Sequence, residues 1–221
     1  FPYTTLFRSE ARPPVPVSAR CTPPASLLLL LDLSESAGDA VAGAACSVLT
    51  LEQEAALQVA QTVVRRGRGP ASRVAVHGFN SDTRERVSYQ RLFDFGAPFD
   101  PAAAGRVIAA RARHSTRVGA ALRHATALLA EEPAGRRTLL VVTDGAPSDI
   151  DVFDPHYLVE DARVAVLEAQ RLGMQVHCLT LDRAGERAAR RIFGWRHYGV
   201  VTNPAALTRH LRHVQARAMS A

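Results

Sequence analysis

Five consecutive leucines, Leu27 to Leu31, run directly into Asp32-Leu33-Ser34-Glu35-Ser36. The run is too short to span a bilayer and lacks the polar alternation of a half-exposed strand. It therefore predicts a strand buried on both faces, in the middle of a sheet. Further strands are predicted at Arg73–Phe79, Thr138–Val142, Met174–Leu181 and Tyr198–Thr202. Glu85–Phe93 alternates and is charged, which suits a sheet edge, with Asn80-Ser81-Asp82 as the turn before it. Helical spacing alternates with these strands. Thr50 is read as the cap of a helix with Glu52 and Glu54 in its first turn and Ala55, Ala56, Val59, Ala60 and Val63 along its apolar face. Asp100-Pro101 and Asp154-Pro155 pair a cap with proline at the first helical position. Helices are further predicted at Val118–Ala130, Arg183–Phe193 and Pro204–Met219, and Gly173 ends the one opened by Pro155. This order calls for an α/β fold: a doubly wound, mostly parallel, Rossmann-like sheet with helices on both faces and one antiparallel edge strand.

Composition narrows the picture. A chain of 221 residues, 47% hydrophobic, is enough for one good core. All 27 basic residues are arginine, and the net charge of +6 is scattered without aromatic interleaving, so no nucleic-acid partner is expected. Cys21, Cys46 and Cys178 share no close spacing, so neither a disulfide framework nor a zinc site is indicated; Cys178 reads as a small core residue. With no signal-peptide pattern and no membrane-length apolar segment, a cytoplasmic protein without membrane insertion is expected. Phe1 to Ser9 is similar to the in-frame translation of a short-read sequencing adaptor, and Glu10 to Pro24 is Pro-rich. Residues 1–24 are accordingly expected to be an artefactual or linker N-terminus, residues 25–221 the domain, and the chain a fragment.

The candidate chemistry lies where strands end. Asp32, Ser34 and Ser36 place one carboxylate and two hydroxyls at the carboxyl end of the first strand, where open α/β sheets carry ligands. Taken alone, the triplet reads equally as turn and cap chemistry. Thr116, in the loop before the helix from Val118, and Asp144, after the strand ending at Val142, lie at loop tips that converge if the strands are neighbours. All five donors are hard oxygens, suited to Mg²⁺ or Mn²⁺. No Gly-x-Gly-x-x-Gly or Walker A sequence is present, so a nucleotide site is not expected. The acids Asp149 and Asp151 are read as facing water, since the loop lacks the glycine and distal glutamate of an EF-hand. His114, two residues before Thr116, is the nearest candidate for a general base; it reads as a loop histidine, and no catalytic residue is assigned.

The set Asp32, Ser34, Ser36, Thr116 and Asp144 resembles the metal-ion-dependent adhesion site of von Willebrand factor type A (VWA) domains, and the resemblance spans Ala25 to the C-terminus. It implies that the five hold a divalent ion whose open position accepts a carboxylate from another protein. Within the superfamily, Leu29 to Ser36, Glu52 to Ala56, His77 to Ser81, Gly119 to Ala125, Thr143 to Asp151, Tyr157 to Asp161 and Arg191 to Gly194 look like the C-terminal VWA domain of the NorD and CbbO family. That likeness implies an adaptor working with a MoxR-type AAA+ ATPase on a client enzyme, nitric oxide reductase or Rubisco, through an acidic residue. The Ala- and Gly-rich stretch Ala37 to Ala45 departs from the more polar loop expected there. The alternatives are a VWA adhesion or matrix-binding module and a metal-dependent hydrolase.

Overall fold

The computed structural model describes residues 24–41, 46–66, 72–83, 85–133, 135–201 and 203–219. In chain order the elements are β1 (Ala25–Asp32), a single 3₁₀ turn (Glu35–Gly38), α1 (Val48–Arg66), β2 (Ser72–Thr83), β3 (Arg86–Phe93), α2 (Pro101–Ala109), α3 (Val118–Ala130), β4 (Arg136–Thr143), α4 (Pro155–Arg171), β5 (Gln175–Thr180), α5 (Glu186–Phe193), β6 (Tyr198–Val200) and α6 (Pro204–Met219). The six strands form one sheet in the order β3-β2-β1-β4-β5-β6. Among the strands of the described residues, only β2 and β3 pair antiparallel, which leaves β3 as the antiparallel edge.

The leucine run is explained by the sheet's two faces. Successive side chains of a strand point to opposite sides, so Leu27, Leu29 and Leu31 join one core and Leu28 and Leu30 the other. The first core is closed by α1, α2 and α6 through Leu51, Val59, Val107, Leu207 and Leu211. The second is closed by α3, α4 and α5 through Leu122, Leu129, Val166, Ile192 and Phe193. All five leucines are at most 2% exposed. With five core leucines at about 1.5–3 kcal/mol each, β1 is a principal anchor of the domain.

Several boundaries differ from expectation. Helix α1 starts at Val48 rather than after Thr50, because Ser47 Oγ accepts from the Thr50 N–H at 3.2 Å and does the capping. Strand β2 runs through Asn80-Ser81-Asp82, the expected turn. Ser81 exchanges two backbone hydrogen bonds with Ser115, at 2.8 and 2.9 Å, and is held extended. Strand β4 is longer than expected and β5 shorter, and α5 begins at Glu186, after a turn in which Asp182 Oδ1 accepts from Ala184 N–H. The caps at Asp100 and Asp154 are as expected. Residue 202, the expected end of the last strand, residues 42–45 of the stretch 37–45, and Cys21 lie outside the described residues. Cys178 is buried and free, as its apolar setting predicts.

Candidate metal centre

Strand order reverses between β1 and β4: β2 follows β1 on one side, and β5 follows β4 on the other. At such a switch point the loops leaving the carboxyl ends diverge and open a crevice. Asp32 is the last residue of β1 and Asp144 the first after β4, so the two acids face each other across it.

Asp32 is fully buried. Its Oδ1 accepts from the Ser34 N–H at 3.1 Å, and its Oδ2 accepts from the hydroxyls of Thr116 and Thr143, each at 2.8 Å. Ser34 Oγ and Ser36 Oγ are 3.2 Å apart, and Ser36 lies near enough to Asp144 to exert a downward pull on its pKa. A continuous chain of contacts thus joins Thr116, Asp32, Ser34, Ser36 and Asp144. The structure brings all five sequence-predicted residues together. Burial, and then the nearby Asp144 charge, push the Asp32 pKa up to about 6 against the opposing hydrogen bonds. Asp144 is also raised, chiefly by burial, with Asp182 and Asp39 adding like charge.

Thr143 was not among the predicted residues. As the last residue of an apolar strand it reads as a β-former; the one available signal is its place beside Asp144 at the strand end. Its hydroxyl donates to Asp32 and accepts from the Gly145 N–H at 3.3 Å, so it fixes the rotamer of one acid and the backbone beside the other.

The loops are locked from outside. His114 adopts φ 64°, its carbonyl accepts from Glu35 N–H at 2.8 Å, and Arg113 N–H donates to Leu33 O at 2.8 Å. The 113–116 segment is thereby stitched to the serine loop, while the His114 ring points at Asp82, 3.6 Å away. Thr116 and Ser148 exchange backbone hydrogen bonds at 2.9 and 3.1 Å. Asp149 and Asp151, expected to face water, instead receive Arg117: Nε to Asp149 at 2.9 Å and an Nη to Asp151 at 2.8 Å. Asp149 also accepts from Ser81 Oγ at 3.0 Å, and its side chain is fully buried. These contacts hold the Thr116 loop and the loop after Asp144 in one register.

Asp32, Ser34 and Thr116 are buried while Ser36 is exposed, so the cluster opens on one side only. It opens into a cleft of about 640 Å³ lined by Ser36, Asp39, Val48, Asp144, Ser148 and Asp182, among others. Five oxygen donors, with no nitrogen or sulfur among them, match a hard divalent cation. The mutual repulsion of Asp32 and Asp144 is what such a cation relieves, and the hydroxyls that now donate to the acids can turn their lone pairs to it.

The sequence profile of the von Willebrand factor type A domain matches residues 27–213. The chain belongs to the von Willebrand factor type A domain family. Among curated proteins it is similar to Protein NorD of Stutzerimonas stutzeri, 40% identical over 130 residues, covering 59% of this chain and 21% of that protein. It is also similar to Protein NorD of Brucella suis biovar 1, 37% identical over 160 residues, covering 72% of this chain and 25% of that protein. This VWA chain thus spans about a quarter or less of the NorD proteins it matches. Among solved structures, the PilB minor pilin of Streptococcus sanguinis superposes with a TM-score of 0.73 at 12% identity, over 91% of this chain and 63% of the pilin chain. The vWF domain of the pilus tip protein Mfa5 of Porphyromonas gingivalis gives 0.69 at 12% identity, over 90% and 98%. At that identity the likeness is one of fold. Among the described residues no helix is long and apolar enough to cross a membrane.

Proposed function

We propose that this chain is the metal-dependent protein-binding domain of a NorD-like adaptor, which helps a MoxR-type AAA+ ATPase act on a client metalloenzyme, nitric oxide reductase or Rubisco. The observation that carries the reading is the one-sided cluster at the switch point: two acids and three hydroxyls, closed below and open at Ser36 and Asp144. A Mg²⁺ or Mn²⁺ ion held by Asp32, Ser34, Ser36, Thr116 and Asp144 would offer its free position to a carboxylate from the partner. The likeness to NorD supports the adaptor setting.

The cleft's own charges make such binding conditional. Among the described residues, Asp39, Asp144 and Asp182 line it against the single cation Arg183, and Asp32 lies beneath, so without a bound ion the balance of charge still repels an acidic partner. A dication cancels much of that negative charge and gives the partner carboxylate a direct coordination position, the contact that draws it in. The chain's residues bind and orient in this reading, and no turnover is assigned to them; the His114 ring is turned to Asp82. The test is a pull-down of the MoxR-type ATPase with this chain, in Mg²⁺ and in EDTA. Capture in Mg²⁺ that EDTA and Asp144→Ala both abolish is expected. Capture indifferent to EDTA would overturn the proposal.

A further inference from the structure

Glu52 is an acid that none of the contacts above uses. It lies near the start of α1, whose neighbouring positions Leu51, Ala55, Ala56 and Val59 pack in the core. Its side chain is fully buried, and neither Oε1 nor Oε2 has a hydrogen-bond partner. A buried carboxylate is ordinarily paired with a cation or held by several N–H groups. Val48, four residues earlier and therefore on the same helical face, lines the cleft beside Ser36 and Asp144, which puts Glu52 one turn deeper behind it. Burial, and then the like charges of Asp32 and Asp144, push its pKa well above the usual carboxylate range.

We propose that Glu52 is a third carboxylate of the divalent-ion centre, set behind Asp32 and Asp144 on the α1 side, where its charge strengthens ion binding. Among the described residues no three His, Cys, Asp or Glu side chains converge as a ready ligand group. Glu52 accordingly acts from behind the ligands, through its field, rather than as one of them. Groups behind the ligands matter to metal sites: hydrogen-bonded ones are typically worth about 10- to 100-fold in affinity, and a carboxylate that acts by charge alone is expected at the lower end of that range. A cation in the centre explains why a glutamate is tolerated on a helix face whose neighbouring positions are apolar.

The proposal rests on the metal-binding reading, and the experiment separates the two. Mn²⁺ is titrated into the chain without any partner, following the heat and the loss of the free-ion electron paramagnetic resonance signal. Wild type, Glu52→Gln and Glu54→Gln are compared; Glu54 is exposed on the same helix and serves as the control. Glu52→Gln is expected to bind about 10-fold more weakly and Glu54→Gln as wild type does. In EDTA, Glu52→Gln is expected to melt higher than wild type and to gain less from Mn²⁺. Unchanged affinity in Glu52→Gln with normal binding by wild type overturns the role of Glu52 alone. Absence of binding by wild type removes the metal reading and this proposal with it. Should the glutamine variant fail to fold, Glu52→Met, close in volume and uncharged, is put to the same test.

Discussion

Replacing Asp32 by asparagine removes a charge from a fully buried site while keeping the shape of the side chain. In the ion-free protein the folded state holds the Asp32 pKa at about 6 against an ordinary value of 3.8, because burial and Asp144 outweigh three hydrogen bonds. A raised acid pKa means the folded state binds the proton more tightly. Its contribution is therefore full below pH 4, falls away as pH rises from about 4 to about 6, and is absent above. Two units correspond to about 3 kcal/mol. The asparagine would keep an oxygen for the Ser34 N–H, but its amide would face the Thr116 and Thr143 hydroxyls, which must rotate; an imperfect fit there returns about 1 kcal/mol. The net expectation at pH 7.5 in EDTA is that Asp32→Asn is more stable than wild type by about 2 kcal/mol, measured by urea unfolding. The advantage should fade toward pH 4. Mg²⁺ at a hundred times its Kd should stabilise wild type by about 2.7 kcal/mol and leave the variant unmoved. A variant less stable than wild type in EDTA, by the same amount at pH 4.5 and pH 7.5, would refute the reasoning.

The remaining predictions concern what holds the centre in place. Arg117→Ala leaves the buried Asp149 carboxylate without its cation and should cost about 3 kcal/mol, with faster proteolysis of residues 146–154; cleavage at the wild-type rate would contradict this. Gly119→Ala would set a Cβ 2.0 Å from Asp161 Oδ2, with the α4 backbone 3.1 Å away at Ala162. An expected loss of about 1–3 kcal/mol in thermal melting then replaces the gain of roughly 1 kcal/mol that alanine brings to an open helix. Burial holds His177 neutral, its pKa lowered to about 4, so the folded state binds fewer protons and stability drops as pH falls from 6.5 to about 4. His177→Gln should reduce that drop by about 3 kcal/mol, and an unchanged acid limb in denaturant titrations would count against it.

The layering of the fold was legible because its cause is local. A leucine run bounded by a carboxylate and hydroxyls has few structures open to it, and a sheet covered on both faces uses all five leucines. Asp32, Ser34, Ser36 and Asp144 follow the carboxyl ends of β1 and β4, whereas Thr116 lies in the loop before α3 and joined them only through the resemblance to the VWA pattern. What escaped the sequence are residues whose role is set by a distant neighbour. Asp149 and Asp151 look like solvated loop acids until β2 and the α3 loop bring Ser81 and Arg117 against them. Glu52 looks like a first-turn acid suited to the helix dipole, and only the packing of α1 behind the crevice buries it. Thr143 is hidden by its own strand propensity. Asn80 to Asp82 carry turn-forming residues, yet pairing to Ser115 on one side and to β3 on the other overrides that preference.

The central claim is that one divalent ion sits where β1 and β4 part. Crystals of this chain grown with Mn²⁺ and measured for manganese anomalous scattering test it directly. The account predicts one strong peak between Asp32 and Asp144, with the hydroxyl oxygens of Ser34, Ser36 and Thr116 about 2.0–2.3 Å from it. A peak only elsewhere, in the acidic loop after Asp144 for instance, or none at all at saturating Mn²⁺, would contradict it.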